Sequence, residues 1–352
     1  MLLNGVDYKT VFLLGAGATR GAVRHVLVKQ KRLKPPLNGD FFDVAATFVR
    51  AYGTESIEAK RLGRLNRFFK EELPIKGKPP METAFSLLYV VKDFHEIYRD
   101  GPGRKPLPGE RREVEDFLLL VFRILCALDD HAPGKNGYDR LVSRLGPKDA
   151  LITLNYDTLL DSALVRCGWN PNKGYGLTGN PKKVQWKPAQ GSPDPNLVAV
   201  RLLKLHGSLN WFVRGSFADL SAVFESKPVR VSPPRRNEMN KHVRQIIPPI
   251  YGKFFRHSHW RTLWEAAYNA LREAEMLVVI GCSLVDTDFH LRALISRVNQ
   301  YRKKVKKPFR HAFLVDHSLQ VRRKWMTSIK GSTKKVSSIK GFEQFLRKEL
   351  RT

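Results

Sequence analysis

Cysteine is scarce in this chain: Cys126, Cys167 and Cys282 are the only three in 352 residues, and they stand far apart. An odd, scattered set builds no disulfide framework, which points to a reducing compartment. There is no Cys-x-x-Cys pair to hold a structural zinc. Acidic residues are also in deficit, with 33 Asp and Glu against 62 Lys and Arg and a formal net charge of +29. Such an excess favours contact with nucleic acid, an anionic surface or an acidic partner, although general solubility explains it as well. Long apolar runs are missing too. The longest, Phe117 to Leu128, is broken by Arg123 and too short to cross a bilayer. The opening Met1-Leu2-Leu3-Asn4 lacks the charged segment and apolar stretch of a secretory leader. A soluble, cytoplasmic protein without membrane contact is expected.

What is present suffices for a sizeable core, since 42% of the residues are hydrophobic. Short, continuous apolar runs mark buried strands at Tyr8 to Leu14, Ala150 to Leu154, Leu197 to Leu205, Met276 to Ile280 and His311 to Val315. Helical spacing appears at Asp157 to Val165, Trp260 to Glu275, Asp286 to Val298 and Phe342 to Leu350. From about 40 to 146 the chain reads as mostly helical: one helix begins at Phe41, and others cover Thr83 to Tyr98 and Glu113 to Asp129. Lys76 to Pro80, Gly101 to Gly109 and Pro171 to Asn196 read as loops. Strands alternating with helices predict an α/β fold with a mostly parallel sheet, helices on both faces and an inserted helical module. From Tyr301 onward, 16 Lys and Arg face Asp316, Glu343 and Glu349, a basic but ordered end.

Four strand ends carry residues suited to chemistry. Gly15-Ala16-Gly17-Ala18-Thr19 follows the first strand, and small residues there let backbone amides approach a diphosphate. The full dinucleotide fingerprint asks for Gly where Arg20 stands, and the next glycine is Gly21. Asn155 and Asp157 end the second strand, where a carboxamide suits a ribose hydroxyl or a water; a turn residue and an N-cap account for the pair equally well. His206 ends the run Leu202-Leu203-Lys204-Leu205 and precedes Gly207-Ser208, so its imidazole suits proton transfer or a structural contact. Gly281-Cys282-Ser283 ends a further strand: Gly281 permits close approach, Ser283 suits a phosphate or ribose oxygen, and Cys282 reads as a small buried residue. Asp286 is the expected cap of the next helix. His257 and His259 lack further ligands nearby, so no metal is expected.

In this order and spacing the motifs resemble the sirtuin-like family, specifically its zinc-free bacterial branch. The resembling segments are Gly15 to Thr19, Pro35-Pro36-Leu37 with Asp40-Phe41-Phe42, Asn155-Tyr156-Asp157, Lys204 to Ser208, Pro248-Pro249, and Ile280 to Leu284 with Asp286 and Asp288. They spread over most of the chain, so the resemblance implies one sirtuin-like domain, 1–352, with a Rossmann-like NAD site beside a helical insertion at about 40–146 and the basic end from about 301. It implies Gly15, Ala16, Gly17, Ala18 and Thr19 at the NAD diphosphate, and Asn155 and Asp157 beside the nicotinamide ribose. It also implies His206 as catalytic base, Gly281 and Ser283 on the adenosine side, and Asp316 at the adenine ribose. Departures from the protein-deacylating members are the absent cysteine pairs, Leu154 where they carry Gln, and Gly39-Asp40-Phe41-Phe42 in place of Pro-Asp-Phe-Arg.

Zinc-free relatives typically hydrolyse NAD in anti-phage defence, triggered by a partner or by oligomerisation. The expected activity is therefore an NAD⁺ glycohydrolase with NAD as substrate. Asn155, Asp157 and His206 are its expected catalytic residues, and a homo-oligomer, an activating protein or a nucleic acid are its candidate partners. A nucleic-acid-associated protein using the same site as a nucleotide sensor is the alternative, and NAD-dependent protein deacylation a further one.

Overall fold

The computed structural model describes residues 9–73, 76–97, 112–175, 200–214, 222–224, 242–246, 258–286 and 288–348. The first strand, β1 (Thr10–Leu14), is buried at every position. Side chains alternate between the faces of a strand, so burial at consecutive positions requires cover on both sides. Helix α1 (Ala16–Ala22) follows at once, then a hairpin of β2 (Val26–Val28) and β3 (Lys31–Leu33). Next come α2 (Phe41–Tyr52), α3 (Ile57–Arg67), α4 (Met81–Ile97), α5 (Arg112–His131) and α6 (Gly137–Val142). Their core is aromatic: the Phe117 ring lies 4.5 Å from Phe85, 5.1 Å from Phe41 and 5.8 Å from Phe42, centroid to centroid.

The chain then returns to strand with β4 (Ala150–Thr153), followed by α7 (Leu159–Arg166), α8 (Pro171–Gly174) and β5 (Arg201–Lys204). Three strands form a small antiparallel sheet: β6 (Gly207–Arg214), β7 (Ala222–Phe224) and β8 (His242–Ile246). The last part runs α9 (Ser258–Glu273), β9 (Met276–Ile280), α10 (Phe289–Lys304), β10 (His311–Val315), α11 (Leu319–Ser328), β11 (Val336–Ile339) and α12 (Phe342–Lys348).

The main sheet has six strands, all parallel, in the order β11-β10-β9-β1-β4-β5. This is the expected α/β, Rossmann-like architecture. From β1 the chain moves outward to β4 and β5, then crosses back to β9 on the other side of β1 and moves outward again. The direction reverses between β1 and β9, and open α/β sheets place their ligand crevice outside the strand ends at such a switch point. Register does the rest: Leu14 is level with Thr153 and Ile280, Thr153 with Lys204, and Ile280 with Val315. The turns beginning at Gly15, Leu154, Leu205, Gly281 and Asp316 therefore leave the sheet at one edge.

Several elements differ from the sequence reading. The β2–β3 hairpin and β11 were not anticipated, being three or four residues long and too short to show a period. The antiparallel sheet was missed because the apolar run Trp211-Phe212-Val213 interrupts any alternation in β6, and β7 and β8 are only three and five residues long. The helix expected from Asp286 starts at Phe289, because Asp288 is the true cap: its Oδ1 accepts from Leu291 N at 3.2 Å. The helix expected from Asp157 starts at Leu159, whose N–H donates to Asp157 Oδ1 at 3.2 Å. Pro171–Gly174 is helical rather than loop. The loop at Gly101 to Gly109, the rest of the Pro171 to Asn196 loop beyond Tyr175, Pro248-Pro249 and His257 lie outside the described residues, as does the side chain of His259.

The third glycine of the first turn serves a helix–helix contact. A Cβ on Gly21 would stand 2.6 Å from Phe342 Cβ of α12. Gly21→Ala is expected to destabilise the fold by ~1–3 kcal/mol through overpacking, read as a lower urea midpoint. An unchanged midpoint would show that α12 is free to shift.

Candidate active site

A cavity of about 420 Å³ opens at the C-terminal edge of the sheet over the β1–β9 seam. Its floor is backbone. Gly17 N donates to Gly281 O at 2.9 Å, and Gly15 N to Ile280 O at 3.0 Å. A Cβ on Gly15 would lie 2.6 Å from Gly281 O, one on Gly17 2.7 Å from Gly281 Cα, and one on Gly281 2.2 Å from Ala18 N. Gly281 also takes a left-handed φ of +57°, which favours glycine. Leu284, three residues on and buried, takes φ +48°, so the β9 loop carries local strain beside the cavity.

The opposite wall comes from the helical module. Pro35 to Gly39, Met81 and Glu82 at the start of α4, and Leu125 of α5 line it. Arg20 of α1 holds this wall in place. Its Nε donates to Pro35 O at 2.7 Å and its Nη2 to Asp40 Oδ1 at 2.9 Å. Asn38 Oδ1 then accepts from Glu82 N at 2.9 Å, tying the segment to α4. Arg20 is thus the residue that replaces the fingerprint glycine, and its charge secures a cavity wall.

Asn155 and Asp157 sit on the turn after β4 and both line the cavity. Asn155 Nδ2 donates to Gly15 O and to Thr19 Oγ1, each at 2.9 Å. A carbonyl only accepts, so the amide orientation is set and Oδ1 is left to accept from a ligand. The Thr19 hydroxyl donates to Asp157 Oδ2 at 2.8 Å and lies 2.9 Å from Tyr138 OH. With Leu159 N on its other oxygen, both oxygens of the Asp157 carboxyl accept from protein groups. Burial pushes that carboxyl up, and Lys204 opposes the shift.

His206 occupies the turn between β5 and β6, 4% exposed, with Nε2 3.3 Å from Asp288 Oδ2. Asp288, 1% exposed, is anchored as the cap of α10, so its carboxylate is set in position to orient the imidazole. Just upstream, Lys204 is wholly buried, and its Nζ donates to Asp161 Oδ2 at 2.9 Å and to the Asp157 carbonyl at 2.6 Å. Asp161 also accepts from Tyr175 OH, which accepts in turn from Asn210 Nδ2 at 3.1 Å. The Asn155–Asp157 turn and the His206 turn are thereby joined by one buried polar network.

The remaining expected residues divide. Gly15, Ala16, Gly17, Thr19, Gly281, Ser283 and Asp316 line the cavity; Ala18 is fully buried and does not. Asp316 follows β10 and accepts from Ser318 N at 2.7 Å, and burial pushes its carboxyl up. Cys282 also lines the cavity, but burial pushes its thiol up to about 12, so it supplies no thiolate. Asp288, Glu82 and Arg20 had been given no role from sequence. Among the described residues no cluster of His, Cys, Asp or Glu suits a metal ion, and no helix is long and apolar enough to cross a membrane.

A family model described as "SIR2-like domain" matches residues 149–330, half of the chain. No curated protein matches. Among solved structures, the chain is similar to a mutant Sir2 homologue in complex with 2′-O-acetyl-ADP-ribose, at 13% identity and TM-score 0.43, covering 98% of this chain and 92% of that one. It is also similar to a Sir2 homologue in complex with NAD, at 12% identity and TM-score 0.41, covering 98% and 90%.

Behind the site, Asp129 at the end of α5 accepts from Thr158 N at 3.0 Å and Thr158 Oγ1 at 2.7 Å. Burial, reinforced by the Asp157 charge, pushes the Asp129 carboxyl from 3.8 up to about 8. Between those values the folded chain keeps a proton that the unfolded chain releases, so stability falls as pH rises through this window. Asp129→Asn, whose carbonyl still accepts from Thr158, is expected to lose less stability than the parent between pH 6 and 8 in urea denaturation. Parallel curves for the two proteins would refute the assignment.

Proposed function

The chain belongs to the SIR2-like family, and on that premise we propose that it is an NAD⁺ glycohydrolase, cleaving the nicotinamide–ribose bond to nicotinamide and ADP-ribose. The observation that carries this reading is the buried His206–Asp288 pair facing the same cavity as the Asn155 amide. A positioned imidazole beside a carboxamide suits the activation of one water and the orientation of one ribose. Gly15 to Thr19 would receive the diphosphate. Because the amides of Gly15, Gly17 and Ala18 are spent on Ile280 O, Gly281 O and Gly15 O, the Ala16 N–H is a donor this turn retains for it. Gly281, Ser283 and Asp316 would border the adenosine.

In the proposed reaction the glycosidic C–N bond breaks and its electron pair leaves with nicotinamide. Water oxygen bonds to the anomeric carbon, and His206 takes the proton that water loses. Asn155 Oδ1 would accept from a ribose hydroxyl or hold the water. Asp157, engaged by Thr19 and Leu159, would act as a positioning residue for the Asn155 turn. We read the chain as one sirtuin-like domain, with residues of about 40–146 as the helical insertion and the segment from about 301 as its basic end. Resemblance to the zinc-free branch supports a role in depleting NAD during anti-phage defence, in a cytoplasmic setting, with oligomerisation or an activating partner as the trigger. Deacylation of acyl-lysine is less well supported, since three scattered cysteines provide no zinc module of the kind that shapes that groove.

Chromatography of NAD incubated with the purified protein tests the reading. Nicotinamide release should fall about 10²–10⁴-fold in His206→Ala and in Asn155→Ala, assayed where circular dichroism shows each variant folded. Parental release from both variants would sink the site assignment. Asp288→Asn keeps an acceptor for Leu291 N and should lower kcat with KM for NAD little changed. A rise in KM alone would make Asp288 a binding residue.

A further inference from the structure

The edge of the sheet opposite the cavity carries a row of cations. In strand order, Lys335 precedes β11, Arg310 precedes β10, Lys9 precedes β1, and Lys148 lies two residues before β4; Glu275 fills the β9 place. Backbone bonds join the row: Lys335 O accepts from Ala312 N at 2.8 Å, Arg310 N donates to Glu275 O at 2.7 Å, and Lys9 N donates to Lys148 O at 2.8 Å. Adjacent strands lie ~4.8 Å apart, so the four intervals from β11 to β4 span about 19 Å. The acids at this edge are already matched. Glu275 pairs with Arg310 at 3.0 Å, Glu273 pairs with Arg272 at 2.6 Å, and buried Asp149 accepts from Thr10 N at 3.0 Å and Gly146 N at 2.9 Å.

The end of α10 extends the row with exposed Lys303, Lys304, Lys306 and Lys307, none of which makes an ion pair among the described residues. A cleft of about 450 Å³ runs between Lys9, Lys148, Arg272, Lys307 and Arg310. Its base is rigid. Buried Arg302 donates to the carbonyls of Leu271, Arg272 and Ala274 at 2.8–2.9 Å and stacks 3.6 Å from the Phe309 ring centre. Lysines at a helix C-terminus complement its dipole, which accounts for the α10 residues. It does not account for Lys9, Lys148, Arg310 and Lys335, which lead into strands. Nor is the charge uniform, for Asp157, Asp288 and Asp316 stand at the opposite edge.

We propose that this cationic edge is a docking site for the phosphate backbone of a nucleic acid, on the far side of the sheet from the cavity. The geometry suits a regular line of charge, as each strand of a duplex carries one phosphate per ~3.4 Å of helix axis, so a row of about 19 Å along that axis spans about five of them. A lipid surface is disfavoured because membrane-lying faces bring Trp, Phe or Leu alongside their cations, whereas Val305 is the large exposed hydrophobic residue at this end of α10. Lysine predominates over arginine in the row and its extension, which fits binding that does not discriminate sequence. The site is independent of NAD hydrolysis.

Fluorescence anisotropy of the full chain with a labelled 30-base-pair DNA duplex tests it. About five phosphate contacts predict a 10²–10³-fold loss of affinity between 50 and 200 mM salt. The set Lys9→Glu, Lys148→Glu and Lys335→Glu should weaken binding at least tenfold at 50 mM salt. The separate pair Lys303→Glu and Lys307→Glu should also weaken it, which guards against misfolding of the first set. Charge reversal of Lys31, Lys60 and Lys70, on the other part of the molecule, should cost much less. The proposal fails if the parent does not bind at 50 mM salt, or if both edge sets bind like the parent. It also fails if the control set loses as much, or if phosphatidylserine vesicles bind more tightly than the duplex.

Discussion

The cavity depends on how closely two stretches of backbone meet at the centre of the sheet. Gly15 and Gly17 on one loop and Gly281 on the other approach so nearly that a Cβ on any of them would fall within 2.7 Å of the facing backbone. Side chains there would force the β1 and β9 turns apart and open the floor of the site. A glycine-rich turn after a first strand is usually explained by the ligand it admits. Here two of its glycines answer first to a protein contact, and three of its amides are satisfied by protein carbonyls before any ligand arrives. Whatever binds lies over a closed seam and meets the exposed start of α1.

From that seam a buried polar network reaches the other two turns. Asn155 touches both Gly15 and Thr19, Thr19 touches Asp157, and Lys204 holds the Asp157 carbonyl together with Asp161. Lys204 is two residues before His206, so the cation that relieves this carboxylate-rich interior also fixes the strand end bearing the histidine. A buried ion pair of this kind adds little net stability, and removing one partner typically costs ~3–5 kcal/mol. Its contribution is better seen as placement. Asp288 completes the arrangement from the opposite side of the seam, since a helix cap is held rigidly and its second oxygen faces the imidazole.

The sheet was legible in the sequence because buried parallel strands write themselves as unbroken apolar runs, and Met276 to Ile280 and His311 to Val315 were bounded correctly. The strand ends were legible for the same reason, and a parallel sheet gathers strand ends at one edge. The wall opposite was not. Pro35-Pro36-Leu37 with Asp40-Phe41-Phe42 was visible as a resembling segment, but nothing in its sequence says that Arg20 would draw it over the cavity through Asp40. Glu82 and Leu125 belong to helices whose apolar spacing announces only packing. Asp286 and Asp288 are two residues apart and both suit a cap, so only three-dimensional placement shows that Asp288 caps α10 and faces His206.

Charge is distributed along the strands in a way that bears on any anionic ligand. The cavity holds Asp157, Asp288 and Asp316, and burial pushes Asp157 and Asp316 toward their neutral forms. Their oxygens are turned to protein donors, Asp157 to Thr19 and Leu159 and Asp316 to Ser318, so these contacts offset part of their charge beside an anion in the cavity. Around it the molecule carries an excess of +29, a field that raises the local concentration of any anion at low ionic strength. Long-range attraction and short-range acceptance are thus supplied by different groups. The first weakens with salt over a Debye length of ~8–10 Å, whereas the second, being buried, does not.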